Sequence, residues 1–276
     1  MYTYFMTIML FCIGIAITLL SIPMISKMLE NSGMIRENYR GDMIPVGLGL
    51  VFIPSLVINS IILIYSNIVP EKIIMIYMLL FASIAMSFVG IIDDSLGNRG
   101  VTGLIGHFKA LFKGSLTTGA FKALLGGFVG LTLAVTLSKS IPNIIVATLV
   151  VALSTNMMNL FDLRPGRAIK AYVILAIIIF LASAKFNREV MMLIVPAVLA
   201  YFYFDLRALT MMGDAGSNVL GVSIGVFIVS SFDLPVQLVS LVLLVAIHVL
   251  TEKFSLTKII ENNKFLDYVD KLGRGL

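Results

Sequence analysis

Asp93 and Asp94 stand side by side in "GIIDDSLGNRG", and Asp214 sits between two glycines in "MMGDAGSNVLG". A third stretch, "NMMNLFDLRPGR", spaces Asn156, Asn159 and Asp162 three residues apart, which keeps their side chains within about 120° of one another on a helix. Carboxylates drawn together from three segments repel unless a cation or a basic side chain lies between them. An oxygen-rich set with no accompanying His or Cys suits a hard ion, Mg2+ or Mn2+, better than zinc. Opposite charge comes from "TGLIGHFKALFKGSLTTGAFKALLGG", which carries His107, Lys109, Lys113 and Lys122. Lys109 and Lys113 are four apart and share one helical face. They read either as an amphipathic segment lying on anionic lipid or as a clamp on a diphosphate beside a metal, since nucleotide-borne Mg2+ needs only one or two protein carboxylates. Each acidic residue also has a plainer reading. Asp214 caps a helix start, Asp93 and Asp94 are solvated loop residues, and Asn156 bonds across helices.

These residues lie at the ends of apolar runs. With 59% hydrophobic and 13% charged residues and a mean hydropathy of +1.04, the 276-residue chain is excluded from the ordinary soluble class. Its net charge of +5 belongs to topology, and no nucleic-acid partner is expected. The single cysteine, Cys12, allows no disulfide framework. The opening run lacks a basic leader and a small-residue cleavage site, so it reads as a retained first helix. At about 20 apolar residues per crossing, the sequence predicts an all-α polytopic bundle of about nine transmembrane helices. Their ranges are Tyr4 to Met24, Val46 to Ile68, Ile73 to Ile92, Phe121 to Leu137, Ile141 to Phe161, Ile169 to Ala184, Val190 to Phe204, Asn218 to Phe232 and Pro235 to Leu250.

Long polar linkers alternate with short ones, and only Lys72, Lys139, Lys185 and Arg188 of the 20 Lys and Arg residues fall in the short set. The positive-inside rule therefore places the amino terminus outside and the long loops, with the carboxyl terminus, in the cytoplasm. All the acidic motifs then emerge on the cytoplasmic face. Residues 1–250 form one membrane domain, with no internal repeat. Residues 251–276, with Phe254, Ile259, Phe265, Leu266, Tyr268, Val269 and Leu272 among frequent charges, form an amphipathic tail on the membrane surface or over the active-site face.

The ordered set Arg40-x-x-x-x-Pro45-x-Gly47-x-Gly49, Gly90-x-x-Asp93-Asp94, Asn156-x-x-Asn159-x-x-Asp162 and Met212-Gly213-Asp214-x-Gly216-Ser217-x-x-x-Gly221 resembles the polyprenyl-phosphate N-acetylhexosamine-1-phosphate transferases of glycosyltransferase family 4. The likeness runs from about Arg40 to Gly221. It implies transfer of a sugar 1-phosphate from a UDP-sugar to a polyprenyl (undecaprenyl) phosphate, releasing UMP, with Mg2+ as cofactor. The setting it implies is the bacterial plasma membrane and envelope glycan synthesis. By the resemblance, Asp93, Asp94 and Asp162 are catalytic, with Asp93 activating or positioning the lipid phosphate, and Asp214 ligates the metal. Arg40, Lys109, Lys113, Asn156, Asn159, Gly213, Gly216 and Ser217 contact substrate. A homodimer is left open.

The chain departs from the family pattern after Asp162, where Leu163, Arg164, Pro165 and Gly166 replace a glycine-and-acid run and Pro165 stands in place of a carboxylate. The family's histidine-rich loop is also missing, and His248 lies inside the ninth predicted helix, where it reads as a packed group. Two other functions stay open: a catalytically lapsed prenyl-phosphate binder, and a transporter or lipid-handling permease. The permease is disfavoured because the charges cluster at one interface rather than along a path through the helix centres.

Overall fold

The computed structural model describes residues 2–66, 69–97, 110, 114–182 and 188–274. Twelve named α-helices account for nearly all of it: α1 Tyr2–Asn31, α2 Phe52–Tyr65, α3 Pro70–Leu96, α4 Thr118–Leu137, α5 Ile141–Phe161, α6 Arg167–Ala182, α7 Arg188–Met191, α8 Val195–Leu206, α9 Gly213–Ser231, α10 Leu234–Lys253, α11 Leu256–Glu261 and α12 Lys264–Lys271. Proline opens α3, α5, α8 and α10 in the first turn, where its missing N–H costs nothing because those donors have no partner inside the helix.

Eight segments among the described residues are long and apolar enough to cross a bilayer: Phe5–Asn31, Leu48–Tyr65, Pro70–Leu96, Thr118–Leu137, Ile141–Phe161, Glu189–Leu206, Gly213–Ser231 and Leu234–Lys253. Nine were expected. The difference is α6, which at 16 residues spans about 24 Å, short of the ~30 Å hydrocarbon core. The expected seventh crossing is a composite, because α7 and α8 are separated by a turn ahead of Pro196.

Three boundaries bear on the site. α3 runs on to Leu96, so Asp93 and Asp94 belong to its last turns rather than to a loop. α9 begins at Gly213, not near Asn218, which puts Asp214 in its first turn. The expected polar linker after the first crossing contains a small antiparallel hairpin, β1 Ile35–Glu37 and β2 Met43–Pro45, with Arg36 opposite Ile44. Asn38 closes it, its side-chain oxygen accepting from the backbone N–H groups of Arg40 (2.8 Å) and Asp42 (3.0 Å).

α9 is the most enclosed crossing and α10 the least. Small residues let α9 approach its neighbours. Gly221 and Gly225 lie against the α5 backbone at Thr155 and Val151, and Gly90 of α3 faces the peptide between Asp214 and Ala215. The start of α9 is also sewn to the hairpin: Met211 N–H donates to Pro45 O (2.8 Å), Leu48 N–H to Met211 O (3.0 Å) and Gly49 N–H to Met212 O (2.9 Å).

The tail folds as α11 and α12, and the polarity of α12 is inverted. Phe265 and Tyr268 are 71% and 65% exposed while Asp270 is buried. α12 therefore docks on the protein by charge and turns outward the face that an interfacial helix presents to lipid.

Candidate active site

The first turn of α9 has four backbone N–H groups with no partner inside the helix, and its preceding residue, Met212, offers no side-chain cap. The cap comes from another helix. Asp94 of α3 accepts Asp214 N–H on Oδ1 and Ala215 N–H on Oδ2, both at 3.0 Å. Gly213 makes the approach feasible. It has a φ of +69°, and a Cβ there would stand 2.5 Å from Asp94 Oδ2, so both its backbone and its lack of a side chain are needed. Arg36 from β1 secures the other side, donating from Nη2 to the Asp94 carbonyl oxygen at 2.6 Å.

Relieved of capping, Asp214 directs its carboxylate elsewhere. Lys122 of α4 places Nζ 2.5 Å from Asp214 Oδ2, and the Asp93 carboxyl lies within hydrogen-bonding reach of the same group. Two carboxyls this close require a shared proton or a cation.

Asn159, expected to touch substrate, sits in a polar joint between α5 and α9. It donates to Asn218 Oδ1 (2.9 Å) and accepts from Ser217 Oγ (2.5 Å), while Asn218 donates onward to Met86 O (3.2 Å). Ser217 and Asn218 are fully buried, so this joint fixes the rotation of α5 against the start of α9. Asn156, three residues earlier, is exposed.

Two cavities meet at this junction. One, of about 320 Å3, is the more polar, its wall setting Arg36, Asn38, Asp94, Asp162, Arg164, Asp205 and Asp214 among apolar residues such as Ile44, Val46 and Met211. The other, of about 620 Å3, is lined largely by apolar and small side chains such as Met86, Ala123, Leu153 and Leu160, with Asp93, Lys122, Asn156, His248 and Glu252 among them. The Lys122–Asp214 pair stands between the two, one partner in each wall. Asp162, at the end of α5, is half-buried in the polar cavity. Burial first, then the nearby charges of Asp205, Asp214 and Asp94, push its carboxyl well above the ordinary value, with Lys122 pulling the other way.

The helices that carry these carboxylates and Lys122 fall within, or begin just before, a stretch that matches a known family. The family described as Glycosyl transferase family 4 matches residues 76–232, more than half of the chain. The chain belongs to glycosyl transferase family 4. A search of curated proteins found no match.

As a member of that transferase family, the chain brings Asp93, Asp94, Lys122, Asp162 and Asp214 to one junction, with Gly213 and Gly216 shaping the backbone around them. Gly216 packs directly on Gly49. Arg40 lies apart. It is exposed, bonded through Nε to Tyr39 Oη at 2.8 Å, and the arginines in the cavity wall are Arg36 and Arg164. Lys109, Lys113 and His107 lie outside the described residues. Sequence reasoning passed over Arg36 and Asp205. Arg36 carried a faint signal as the only basic residue in the short alternating run of β1, whereas Asp205 gave none. Its carboxylate accepts Gly166 N–H at 2.8 Å, a pairing of residues 39 apart.

Among the described residues no group of three or more His, Cys, Asp or Glu side chains is disposed to hold a metal ion. The Asp93–Asp214 pair is a hard-oxygen donor set that matches the one or two protein carboxylates a phosphate-borne Mg2+ requires.

Proposed function

We propose that this protein transfers a sugar 1-phosphate from a UDP-sugar to a polyprenyl phosphate and releases UMP. The observation that carries the reading is the junction itself: a polar cavity and a largely apolar cavity separated by the Lys122–Asp214 pair with Asp93 beside it. The UDP-sugar occupies the polar cavity, its diphosphate facing Arg36 and Arg164. The prenyl chain occupies the apolar cavity, with its phosphate at Lys122 and Asp93.

In this arrangement an oxygen of the lipid phosphate attacks the β-phosphorus, the bond from that phosphorus to the bridging oxygen breaks, and UMP departs with that oxygen. Asp93 accepts the proton of the lipid phosphate or orients it. Lys122 faces the charge that grows on the transferring group, which is the main task in phosphoryl transfer. Asp94, with both oxygens committed to α9, sets where Asp214 sits. Asp214, with Asp93 close by, would hold Mg2+ on the diphosphate, where the ion would neutralise charge on the non-bridging oxygens. The basic-residue asymmetry supports a cytoplasmic position for this junction, the family resemblance supports a bacterial-type plasma membrane, and α6 serves as a short ninth crossing.

A second reading, an inert prenyl-phosphate binder, draws on the position of Lys122, whose ammonium already neutralises Asp214. One assay separates the two. Purified full chain, undecaprenyl phosphate and a panel of UDP-sugars are incubated with Mg2+ or with a chelator, and UMP is measured. Transfer predicts UMP release that depends on both substrates and on the ion, and that falls by several orders of magnitude in Asp214→Asn. Saturable binding of prenyl phosphate with no UMP from any donor would overturn transfer and leave the inert reading.

A further inference from the structure

The segment after Asp162 departs from the family pattern, and it is there that the tail attaches. Arg167 grips Asp270 of α12 with two parallel bonds, Nε to Oδ1 and Nη2 to Oδ2, each 2.8 Å, and its remaining nitrogen reaches Thr257 Oγ1 at 3.0 Å. Arg274 bonds the same carboxylate at 2.7 Å and donates from Nε to the carbonyl oxygen of Pro165, also at 2.7 Å. Lys170 closes the end of α12, donating to the carbonyls of Val269 (2.9 Å), Asp270 (2.8 Å) and Leu272 (2.7 Å).

Arg167 and Asp270 are 4% and 7% exposed. An ion pair this deep gives up hydration that its own attraction barely returns. What it secures is geometry: Arg167 and Arg274 fix where α12 sits on the protein, while its aromatic side chains turn outward. The secured backbone is the wall of the polar cavity, since Asp162, Leu163, Arg164 and Pro165 all line it. Pro165 is tied from the tail through its carbonyl and Gly166 from α8 through Asp205, so the loop is held at adjacent residues from two directions.

We propose that α12 is a brace for this loop, and that Asp270 is a positioning residue that sets the affinity of the polar cavity for the nucleotide-sugar. The donor half of this statement rests on the proposed function. Asp270 contacts neither cavity, so it acts only through Arg167, Arg274 and the Pro165 carbonyl.

The test uses the full chain with Asp270→Asn, and with Arg274→Ala as a milder variant that cuts the Pro165 link while leaving Arg167 on Asp270. Two readouts are taken: KM for the UDP-sugar against KM for undecaprenyl phosphate, and amide hydrogen exchange at residues 162–170. The brace predicts a donor KM raised about tenfold or more in Asp270→Asn, an acceptor KM within twofold of wild type, and faster exchange at Gly166 and Arg167 in both variants. Unchanged exchange at 162–170 overturns the brace whatever the kinetics. Faster exchange with both KM values unmoved overturns the positioning role and leaves a structural tether. If wild type releases no UMP with any UDP-sugar, the proposed function and the donor half fail together, while exchange still decides the brace.

Discussion

Replacing Asp94 by Asn separates a helix-capping carboxylate from a reacting one. Asp94 accepts two N–H groups from the first turn of α9 at 3.0 Å each and is 8% exposed. Hydrogen bonds to a charged group contribute about 1.5–3 kcal/mol each, and neutral ones about 0.5–1.5 kcal/mol. Asparagine keeps one bond in neutral form, sets its NH2 against the second N–H, and removes a negative charge from a helix N-terminus where it is favoured. Against this, asparagine is cheaper to bury than a carboxylate and is not repelled by Asp214, so the net loss is about 1–2 kcal/mol. At about 2–4 °C per kcal/mol for a domain of roughly this size, the melting temperature falls by about 2–8 °C. Asp214→Asn is the control. It breaks the pair with Lys122 but relieves repulsion with Asp93, so its melting temperature stays near wild type while its turnover collapses. Thermal unfolding in detergent and UMP release are measured on the same preparations. An Asp94→Asn protein that melts with wild type yet is inert would refute the capping argument and return Asp94 to the chemistry.

Arg36→Ala weakens the UDP-sugar in the kinetic assay, because Arg36 lines the polar cavity and bonds the Asp94 carbonyl, whereas Arg40→Ala stays within about twofold, since its guanidinium rests on Tyr39. Gly90→Ala cuts turnover about 100-fold in a folded protein, because the new Cβ would lie 2.3 Å from the Asp214 carbonyl group and a shift of about 1 Å at a reacting centre costs that much; near-normal turnover would show that α3 and α9 tolerate separation there. The Asp270 carboxyl, which burial alone would raise, is held below the usual range by hydrogen bonds from Arg167 and Arg274 and by their charges. Its contribution to stability is therefore fully present above the unfolded value of about 3.9 and is lost as pH falls through the lower folded value. Melting temperature measured from pH 6 downward should show an acid-side loss in wild type that is smaller in Asp270→Asn.

What the sequence by itself determined is everything set by composition, run length and local order. Apolar runs near 20 residues fixed a membrane bundle, because a bilayer demands that length. Acidic motifs in a fixed order pointed to glycosyl transferase family 4. Asp93 and Asp94 were legible as a pair because adjacency is local, and Asp214 stood out because a charge beside an apolar run needs a reason. The division of labour among these carboxylates was beyond sequence. Asp214 had a plainer reading as the cap of its own helix, and only the packing of α3 against α9 shows that task to belong to Asp94, 120 residues away. Asn159 was expected to contact substrate, and only the tertiary structure shows it bonded to Ser217 and Asn218 across the α5–α9 joint. Arg36 reaches the site because the hairpin folds over the α3 terminus, and Asp270 matters because Arg167 and Arg274 collect around it from segments distant in the chain. Local spacing constrains a side chain to a face of its own helix, but the partner on the facing helix is chosen by how closely two backbones come together, and here glycines at positions 49, 90, 213 and 216 made that choice.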